Sequence, residues 1–292
     1  MRITALIAST IALWASPALA QECHPKFVNN SQTVNVSDVE VGARKVSRES
    51  FNVRIVNEHN GPCSATIRFL RLDGTAVSAN LEYALRSGSS VLELLPNQAA
   101  TGTSQSDLLV AGIPGGDSGR SVPFLLTIPS DWGVEAGFHS EQIQLSLIDV
   151  STQVVDTLLL TINVTVPPSV SIRVVGATGT DRVASINLGN ITPRDVSVSD
   201  PFGIRVWSTA PYLVSFESEN RGNLRHEGGL DLIPYEMRMD EQQVNLGASG
   251  DFVFPERTTS LGRVHRLRVQ AGPATGRAGG YADRITVTVT AV

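Results

Sequence analysis

The sequence predicts an all-β protein made of two tandem immunoglobulin-like β-sandwiches, of which the C-terminal one lacks its final strand. Three observations lead to this prediction. Apolar and polar residues alternate with period two in nearly every patterned stretch, four sequence blocks occur twice in the same order, and the second copy of the last block ends the chain where the first continues. Alternation with this period is typical of half-buried strands, and no helical periodicity extends far enough to compete.

The first twenty residues have the pattern of a signal peptide. Arg2 precedes an apolar stretch from Ile3 to Ala15, and Ala18-Leu19-Ala20 supplies the small residues of a cleavage site. Residues 1–20 are therefore excluded from the fold, and the mature chain is expected to be exported. It divides into an N-terminal domain over 21–166, a Pro-rich linker over 167–169 and a C-terminal domain over 170–292, both of ordinary domain size.

Charge gives little information about a ligand. The chain has a net charge of −5, and the loss of Arg2 with the signal peptide makes it −6. The sequence contains no run of basic residues, which argues against nucleic acid or anionic lipid as the partner.

The four repeated blocks indicate a duplicated domain. Each second copy follows the first by a nearly constant interval, between 142 residues (278 − 136) and 152 residues (235 − 83). The pairs are Val41-Gly42 with Leu188-Gly189, Phe51 to Ile55 with Phe202 to Val206, Leu81 to Arg86 with Ile233 to Arg238, and Ala136-Gly137 with Ala278-Gly279.

The copies of the last block continue differently. After Ile143, Leu145 and Leu147 the first copy turns into another alternating run from Leu158 to Val166, whereas the second stops at Val292. A sheet without its last strand exposes unpaired backbone groups beside apolar side chains, which soluble proteins normally avoid. The sequence therefore predicts a docking site for a strand from another polypeptide.

No constellation of residues indicates an enzyme. Gly116-Asp117-Ser118-Gly119 resembles the surroundings of a protease serine, but the sequence offers neither the base nor the acid in the context that such a serine needs. His226 and His265 are predicted to be solvated loop and strand-face residues. We expect no catalytic residue, no cofactor and no metal site.

The second copy resembles the spore coat protein U domain, the module of archaic chaperone-usher pili. The resemblance is carried by Leu188-Gly189, by Ile204 to Ser208, by Leu232 to Asp240, and by Ala278-Gly279-Gly280-Tyr281-Ala282-Asp283 with the alternating strand after it. It covers most of residues 170–292. The first copy is a weaker match, with His139 in the place of Tyr281.

The resemblance implies a pilin-like fold and a two-domain adhesin at the pilus tip. The implied partners are a periplasmic chaperone, the donor strand of the next subunit, an outer-membrane usher, and a surface or receptor of unknown identity. Export through the periplasm to the cell surface is implied as well. The expected donor-strand groove is lined by Ile285, Val287 and Val289, with Ile172, Ile204 and Val206 nearby.

Domains of this family usually carry a disulfide near their first strands. The second copy has no cysteine, with Ser208 near the expected place, whereas Cys23 and Cys63 both lie in the first copy. A disulfide between them is expected in an oxidising periplasm. The alternatives are two free thiols or a metal site, and the metal site is disfavoured because no C-x-x-C or H-x-x-H spacing exists.

The segment from Pro96 to Arg120 is the longest without strong alternation. Its apolar insert, with Leu108, Leu109, Val110 and Ile113, is a candidate for an exposed surface contact. The alternative is that the insert is one more buried strand.

Two other functions share features with this prediction. A non-pilus surface or coat protein could carry the same module without any chaperone. A periplasmic pilus chaperone also has two immunoglobulin-like domains, but it needs a basic cleft residue and a long donor strand, which this sequence does not show.

Overall fold

The computed structural model describes residues 23–37, 39–42, 46–72, 81–96, 107–180, 182–247 and 250–292. Within these ranges the chain forms strands, turns and irregular segments but no helix, which confirms the predicted all-β class. The predicted signal peptide lies outside the described residues. No described segment forms a helix of the length and apolarity needed to cross a membrane.

The N-terminal half forms two sheets. One has the strand order β1-β3-β9-β5-β6, and the other has the order β2-β11-β10-β4-β7 with β8 also paired to β4. The strands are β1 (Pro25–Phe27), β2 (Ser31–Val36), β3 (Ser47–Asn57), β4 (Cys63–Arg71), β5 (Ala84–Ser87), β6 (Ser90–Val91), β7 (Leu95–Pro96), β8 (Leu108–Ile113), β9 (Gly116–Ile128), β10 (Gly137–Ile148) and β11 (Val154–Val166).

The hairpin of β10 and β11 closes the second of these sheets. The two strands pair antiparallel from Gly137 opposite Val166 to Ile148 opposite Val154. The other edge of β10 pairs with β4, and the other edge of β11 pairs in parallel with β2. Strand β10 therefore has hydrogen-bonded neighbours on both sides.

The C-terminal half has a large sheet of order β12-β16-β22-β19-β18-β23, joined by β15 and β20 at its side, and a small sheet of order β21-β17-β24. A short hairpin, β13-β14, stands apart. The strands are β12 (Val170–Val175), β13 (Thr178–Gly179), β14 (Ala184–Ser185), β15 (Ser197–Val198), β16 (Phe202–Ser208), β17 (Tyr212–Ser218), β18 (Asn223–His226), β19 (Leu232–Met239), β20 (Gln242–Gln243), β21 (Asp251–Phe254), β22 (Arg263–Ala271), β23 (Tyr281–Ala282) and β24 (Ile285–Ala291).

Each half has its own hydrophobic core between its sheets. The apolar residues that alternate along the strands point inward, such as Phe51, Val53 and Ile55 on β3, and Ile204 and Val206 on β16. Successive strand residues point to opposite faces of a sheet. The period-two pattern therefore directs the apolar side chains of each strand into the core of its own sandwich and the polar ones outward.

Glycines of two repeated blocks adopt the same unusual backbone in both halves. Gly42 and Gly189 have φ angles of 76° and 67°, and Gly137 and Gly279 have φ angles of 132° and 155°. Residues with a side chain rarely adopt positive φ, so these positions favour glycine. The repeat therefore reflects matching turns in the two sandwiches.

The linker is held by the turn between β16 and β17. The Thr209 hydroxyl donates to the Pro167 carbonyl at 3.2 Å and accepts from the Ser169 amide at 2.9 Å. The Ala136 amide, just before β10, donates to the Thr209 carbonyl at 2.8 Å. This turn thus contacts both the linker and the start of β10.

Candidate strand-docking groove

The groove lies between β12 at the edge of the large C-terminal sheet and β24 at the edge of the small one. β24 pairs antiparallel with β17, from Tyr212 opposite Ala291 to Ser218 opposite Ile285. β12 pairs only with β16, and no described strand pairs with the other edge of either β12 or β24. The two edges approach each other without forming a ladder. Each therefore presents a row of backbone groups on which another strand can hydrogen-bond.

The side chains along this gap are apolar and incompletely covered. Ile285, Val287 and Val289 of β24 and Ile172 of β12 are half-buried and pack against the C-terminal core. Ile204 and Val206 are fully buried on β16, where Val206 is paired with Ile172. Four of the six residues predicted for the groove therefore lie along its rims and two beneath it.

A cluster around Asp283 fixes the start of β24. Its carboxylate accepts from the Ser218 hydroxyl at 2.6 Å and from the Asn220 amide at 3.0 Å, and it accepts from the Tyr235 hydroxyl. Burial raises the pKa of Tyr235, and the hydrogen bond to Asp283 raises it further. The cluster joins β17, β19 and β24 at the point where the exposed edge begins.

The N-terminal half has a matching pair. The hydroxyl of the half-buried Tyr83 donates to Glu141, which also lies 3.4 Å from the Arg71 guanidinium. Burial raises the pKa of Tyr83, and Glu141 raises it further. Tyr83 and Tyr235 are equivalent in the third repeated block, and Glu141 and Asp283 in the fourth. Sequence reasoning found all four positions as repeats but did not connect the tyrosines to the acids.

The prediction that His265 is solvated is wrong. The residue is fully buried, with its Nδ1 2.7 Å from Asp240 and its Nε2 2.9 Å from the Tyr212 hydroxyl. It was misassigned because its position between Val264 and Arg266 does not show which strand face is covered. Tyr212 is also buried, so His265 and Tyr212 lie together in the C-terminal core. His226 is half-buried and makes an edge contact with the Tyr281 ring.

Cys23 and Cys63 form a disulfide, with Cα atoms 5.6 Å apart. The bridge connects the segment before β1 to the first residue of β4. It therefore ties the start of the N-terminal sandwich to its second sheet.

The protease-like tetrapeptide forms the first four residues of β9. The Ser118 hydroxyl contacts the Gly115 carbonyl at 3.5 Å, and the His59 ring lies against His24 with 2.8 Å between ring nitrogens. Among the described residues, no group of three or more His, Cys, Asp or Glu side chains could hold a metal ion.

The apolar insert of the N-terminal half forms strand β8, paired antiparallel with β4. Val110 and Ile113 are buried, Leu108 is half-buried, and Leu109 is 67% exposed. The expectation that Val110 and Ile113 contact a surface is wrong, because their side chains fill the core. Only Leu109 of the four is well placed for such a contact.

No family model matches the sequence, the spore coat protein U domain included, and no curated protein is similar enough in sequence to be matched. Several solved structures of pilus proteins have similar folds. A chain of the CsuC-CsuE chaperone-tip adhesion subunit pre-assembly complex, from archaic chaperone-usher Csu pili of Acinetobacter baumannii, is 13% identical with a TM-score of 0.43, over 89% of this chain and 97% of that chain.

Two further adhesins show weaker similarity. A mutant of the CFA/I enterotoxigenic E. coli adhesin CfaE is 10% identical with a TM-score of 0.41, over 90% of this chain and 92% of that chain. The CupB6 tip adhesin from Pseudomonas aeruginosa is 10% identical with a TM-score of 0.33, over 91% of this chain and 94% of that chain. All these TM-scores are below 0.5, so a functional conclusion must come from the geometry of the groove.

Proposed function

We propose that this protein is an exported adhesive subunit of a chaperone-usher pilus, located at the tip, whose C-terminal sandwich is completed by a strand from another polypeptide. The open edge of β24 with its half-buried Ile285, Val287 and Val289 is the observation that carries this proposal. A periplasmic chaperone would cover the groove first, and a donor strand of the next subunit would then replace it at the outer-membrane usher.

The physical basis is β-strand addition. An incoming strand hydrogen-bonds along β24 while its alternate apolar side chains cover the half-buried residues of the gap. Burying four or five aliphatic side chains contributes about 1.5 to 3 kcal/mol each, enough for very slow dissociation. The isolated chain is therefore expected to aggregate or to stay bound to a chaperone.

The tip position is supported by the N-terminal sandwich. Its segment from Pro25 to Val36 is built into its own sheets, β1 against β3 and β2 against β11. That segment is therefore committed to the sandwich and is not donated to a neighbour. Commitment of this segment to its own sandwich supports the proposed tip position, because a terminal subunit receives a strand and donates none.

The adhesive contact is proposed at the end of the N-terminal sandwich opposite the linker. The β10-β11 turn lies there, about 40 Å from the start of β10 at roughly 3.3 Å per residue. Val150 and Val154 are strongly exposed at this end, and Leu109 faces solvent on the neighbouring part of β8. These exposed side chains supply the proposed adhesive surface, to which the buried Val110 and Ile113 do not contribute.

A grafted hairpin tests the open groove. Residues 149–166, which form the turn and β11, would be appended after Val292, so that the added strand returns along β24 as β11 does along β10. We expect a soluble monomer whose melting temperature rises by about 10 °C or more, because several apolar side chains become covered. The control carries serine at the positions of Leu158, Leu160 and Ile162 in the appended copy.

An unchanged melting temperature with the apolar graft would contradict the incomplete fold. A second measurement tests whether the chain belongs to a chaperone-usher pilus: the unmodified chain is purified from periplasm. A chaperone that copurifies in equimolar amount, and that the graft displaces, supports pilus assembly; its absence favours a coat or surface protein with the same module.

Attachment of cells that display the assembled pilus tests the adhesive end. Leu109→Asp combined with Val150→Asp is expected to reduce attachment, because hydrated carboxylates replace exposed apolar groups. Val253→Asp is the matched control, since Val253 on the C-terminal sandwich is 67% exposed, as is Leu109. Equal attachment by all variants would remove the proposed contact.

A further inference from the structure

The outer face of the large C-terminal sheet carries a concentration of arginines that the sequence does not show as a run. Arg205 on β16, Arg266 and Arg268 on β22, and Arg238 on β19 each lie between two buried residues, and Arg173 on β12 follows Ile172, which packs against the core. Since strand side chains alternate, all five point to the opposite, outer face. We call this set the arginine face.

Two pairs of these arginines stand directly opposite each other. Arg173 is the cross-strand partner of Arg205, and Arg238 is the partner of Arg268. Like charges at directly opposed positions destabilise a sheet. The Arg238–Arg268 pair is therefore not explained by the stability of the sheet.

Three of the arginines have no internal partner. The side chains of Arg238, Arg266 and Arg268 form no hydrogen bond and no ion pair with any described residue. The nearby Asp240 carboxylate is engaged by the His265 ring and by the Arg266 backbone amide. The three guanidinium groups are thus available to an external anion.

The basic residues of this half are all arginines, which favours one class of partner. Residues 170–292 contain thirteen arginines and no lysine. Arginine presents a planar fork that binds carboxylates through two parallel hydrogen bonds. Protein interfaces are enriched in arginine and depleted in lysine. Val264 on β22 and Val198 on the neighbouring strand β15 are exposed apolar residues beside these arginines.

A cleft of about 470 Å³ adjoins the arginine face and is lined by Arg173, Arg205, Trp207, residues 174–177, Gly179 and Thr180. The Arg205 guanidinium lies over the Trp207 ring, 5.8 Å from its centre. The flat arginine rows thus continue into a concave surface that can receive a protruding segment.

We propose that the arginine face is a docking surface for an acidic polypeptide, whose carboxylates are bound by Arg238, Arg266 and Arg268. Charge complementarity and the arginine-rich, lysine-free composition support a protein partner over a polysaccharide or a membrane. The face lies on the opposite side of the sheet from the groove, so it can be tested independently of strand docking.

Binding of fluorescent poly-L-glutamate to the full chain tests this proposal, measured by anisotropy at about 20 mM and about 150 mM salt because exposed charges are screened. Arg238→Gln combined with Arg268→Gln is expected to weaken binding at least about tenfold, a loss of about 1.4 kcal/mol. The melting temperature should stay unchanged or rise, because a like-charge pair is removed.

The matched control is Arg48→Gln combined with Arg86→Gln, which removes the same charge from exposed positions of the N-terminal sandwich. Its affinity for poly-L-glutamate should remain within about twofold of the unmodified chain. Failure of the unmodified chain to bind, or an equal loss in the control, would overturn the proposal. Tighter binding of heparin, or of anionic phosphatidylglycerol vesicles, that depends on Arg238 and Arg268 would also overturn it in favour of a polysaccharide or a membrane.

Discussion

Strands β10 and β24 carry the two copies of the fourth repeated block, one in each sandwich, and they differ in how far they are covered. Ile143, Leu145 and Leu147 of β10 precede Ile285, Val287 and Val289 of β24 by the same interval of 142 residues (285 − 143). Each strand pairs antiparallel with the strand that follows its first repeated strand, β4 or β17. Their inner edges are therefore equivalent.

Their outer edges differ. β11 covers β10, and Ile143, Leu145 and Leu147 are 0% exposed. No described strand covers β24, and Ile285, Val287 and Val289 are only half-buried. The same alternating pattern thus gives a closed core in one sandwich and an open groove in the other, because burial depends on the neighbouring strand as well as on the side chain.

An aspartate introduced beside covered β10 or in open β24 should give the largest difference in stability between the two sandwiches. Leu160→Asp places a carboxylate in the fully covered core beside β10, and we expect a cost above about 4 kcal/mol or loss of folding. Val289→Asp should cost about 1 to 2 kcal/mol in the same chain, since the carboxylate can remain hydrated at the rim. Urea unfolding would measure both, and equal costs would show that β24 is not open.

Removing the disulfide should affect one sandwich alone. The double variant Cys23→Ser with Cys63→Ser is expected to lose about 3 to 4 kcal/mol, because the bridge closes a long loop of the N-terminal half. Urea unfolding should show the N-terminal transition at lower denaturant and the C-terminal transition unchanged. A shift of both transitions by the same amount would mean that the sandwiches unfold as one unit.

Truncation of the equivalent isoleucines Ile143 and Ile285 to alanine compares the coverage of β10 and β24 directly. Ile143→Ala is expected to cost about 2 to 5 kcal/mol, whereas Ile285→Ala should cost about 2 kcal/mol less, because its site is already partly hydrated. With the grafted hairpin in place, the cost of Ile285→Ala should approach that of Ile143→Ala. If the graft leaves this cost unchanged, the added strand does not cover Ile285.

The smallest expected effect is the pH dependence of stability that comes from the two tyrosines hydrogen-bonded to acids. Because folding raises the pKa of Tyr83 and Tyr235, the folded state holds their protons more tightly than the unfolded state. The contribution of these tyrosines to the free energy of unfolding is therefore fully present below about pH 10. Above that pH it falls by at most about 1.4 kcal/mol per pH unit for each tyrosine. Unfolding followed between about pH 8 and pH 11 should show a weaker dependence for Tyr235→Phe. An identical pH dependence in that variant would contradict the raised pKa of Tyr235.

The repeated blocks predicted which strand lies at the candidate groove. The interval between copies located β24, and no described strand pairs with its outer edge. The disulfide between Cys23 and Cys63 was also predicted, and the structure contains it. These features depend on order along the chain, which a sequence records directly.

Other features depend on which residues a sheet brings side by side. Val110 and Ile113 lie in a segment without clear alternation, and only pairing with β4 shows that they enter the core. The arginine face likewise requires the register that sets Arg238 opposite Arg268. In a sheet, neighbours across strands are far apart in sequence, so the pattern along one strand cannot identify them.

The sequence by itself determined the all-β class, the repeated blocks and the strand that follows each Ala-Gly turn, because alternation and glycine act locally along the chain. Only the tertiary structure decided how far each apolar row is covered, that Tyr235 binds Asp283 and that His265 is buried. Coverage and hydrogen bonding are set by the packing of two sheets and by strand register. Identical local patterns could therefore give a closed strand in one half and an open one in the other.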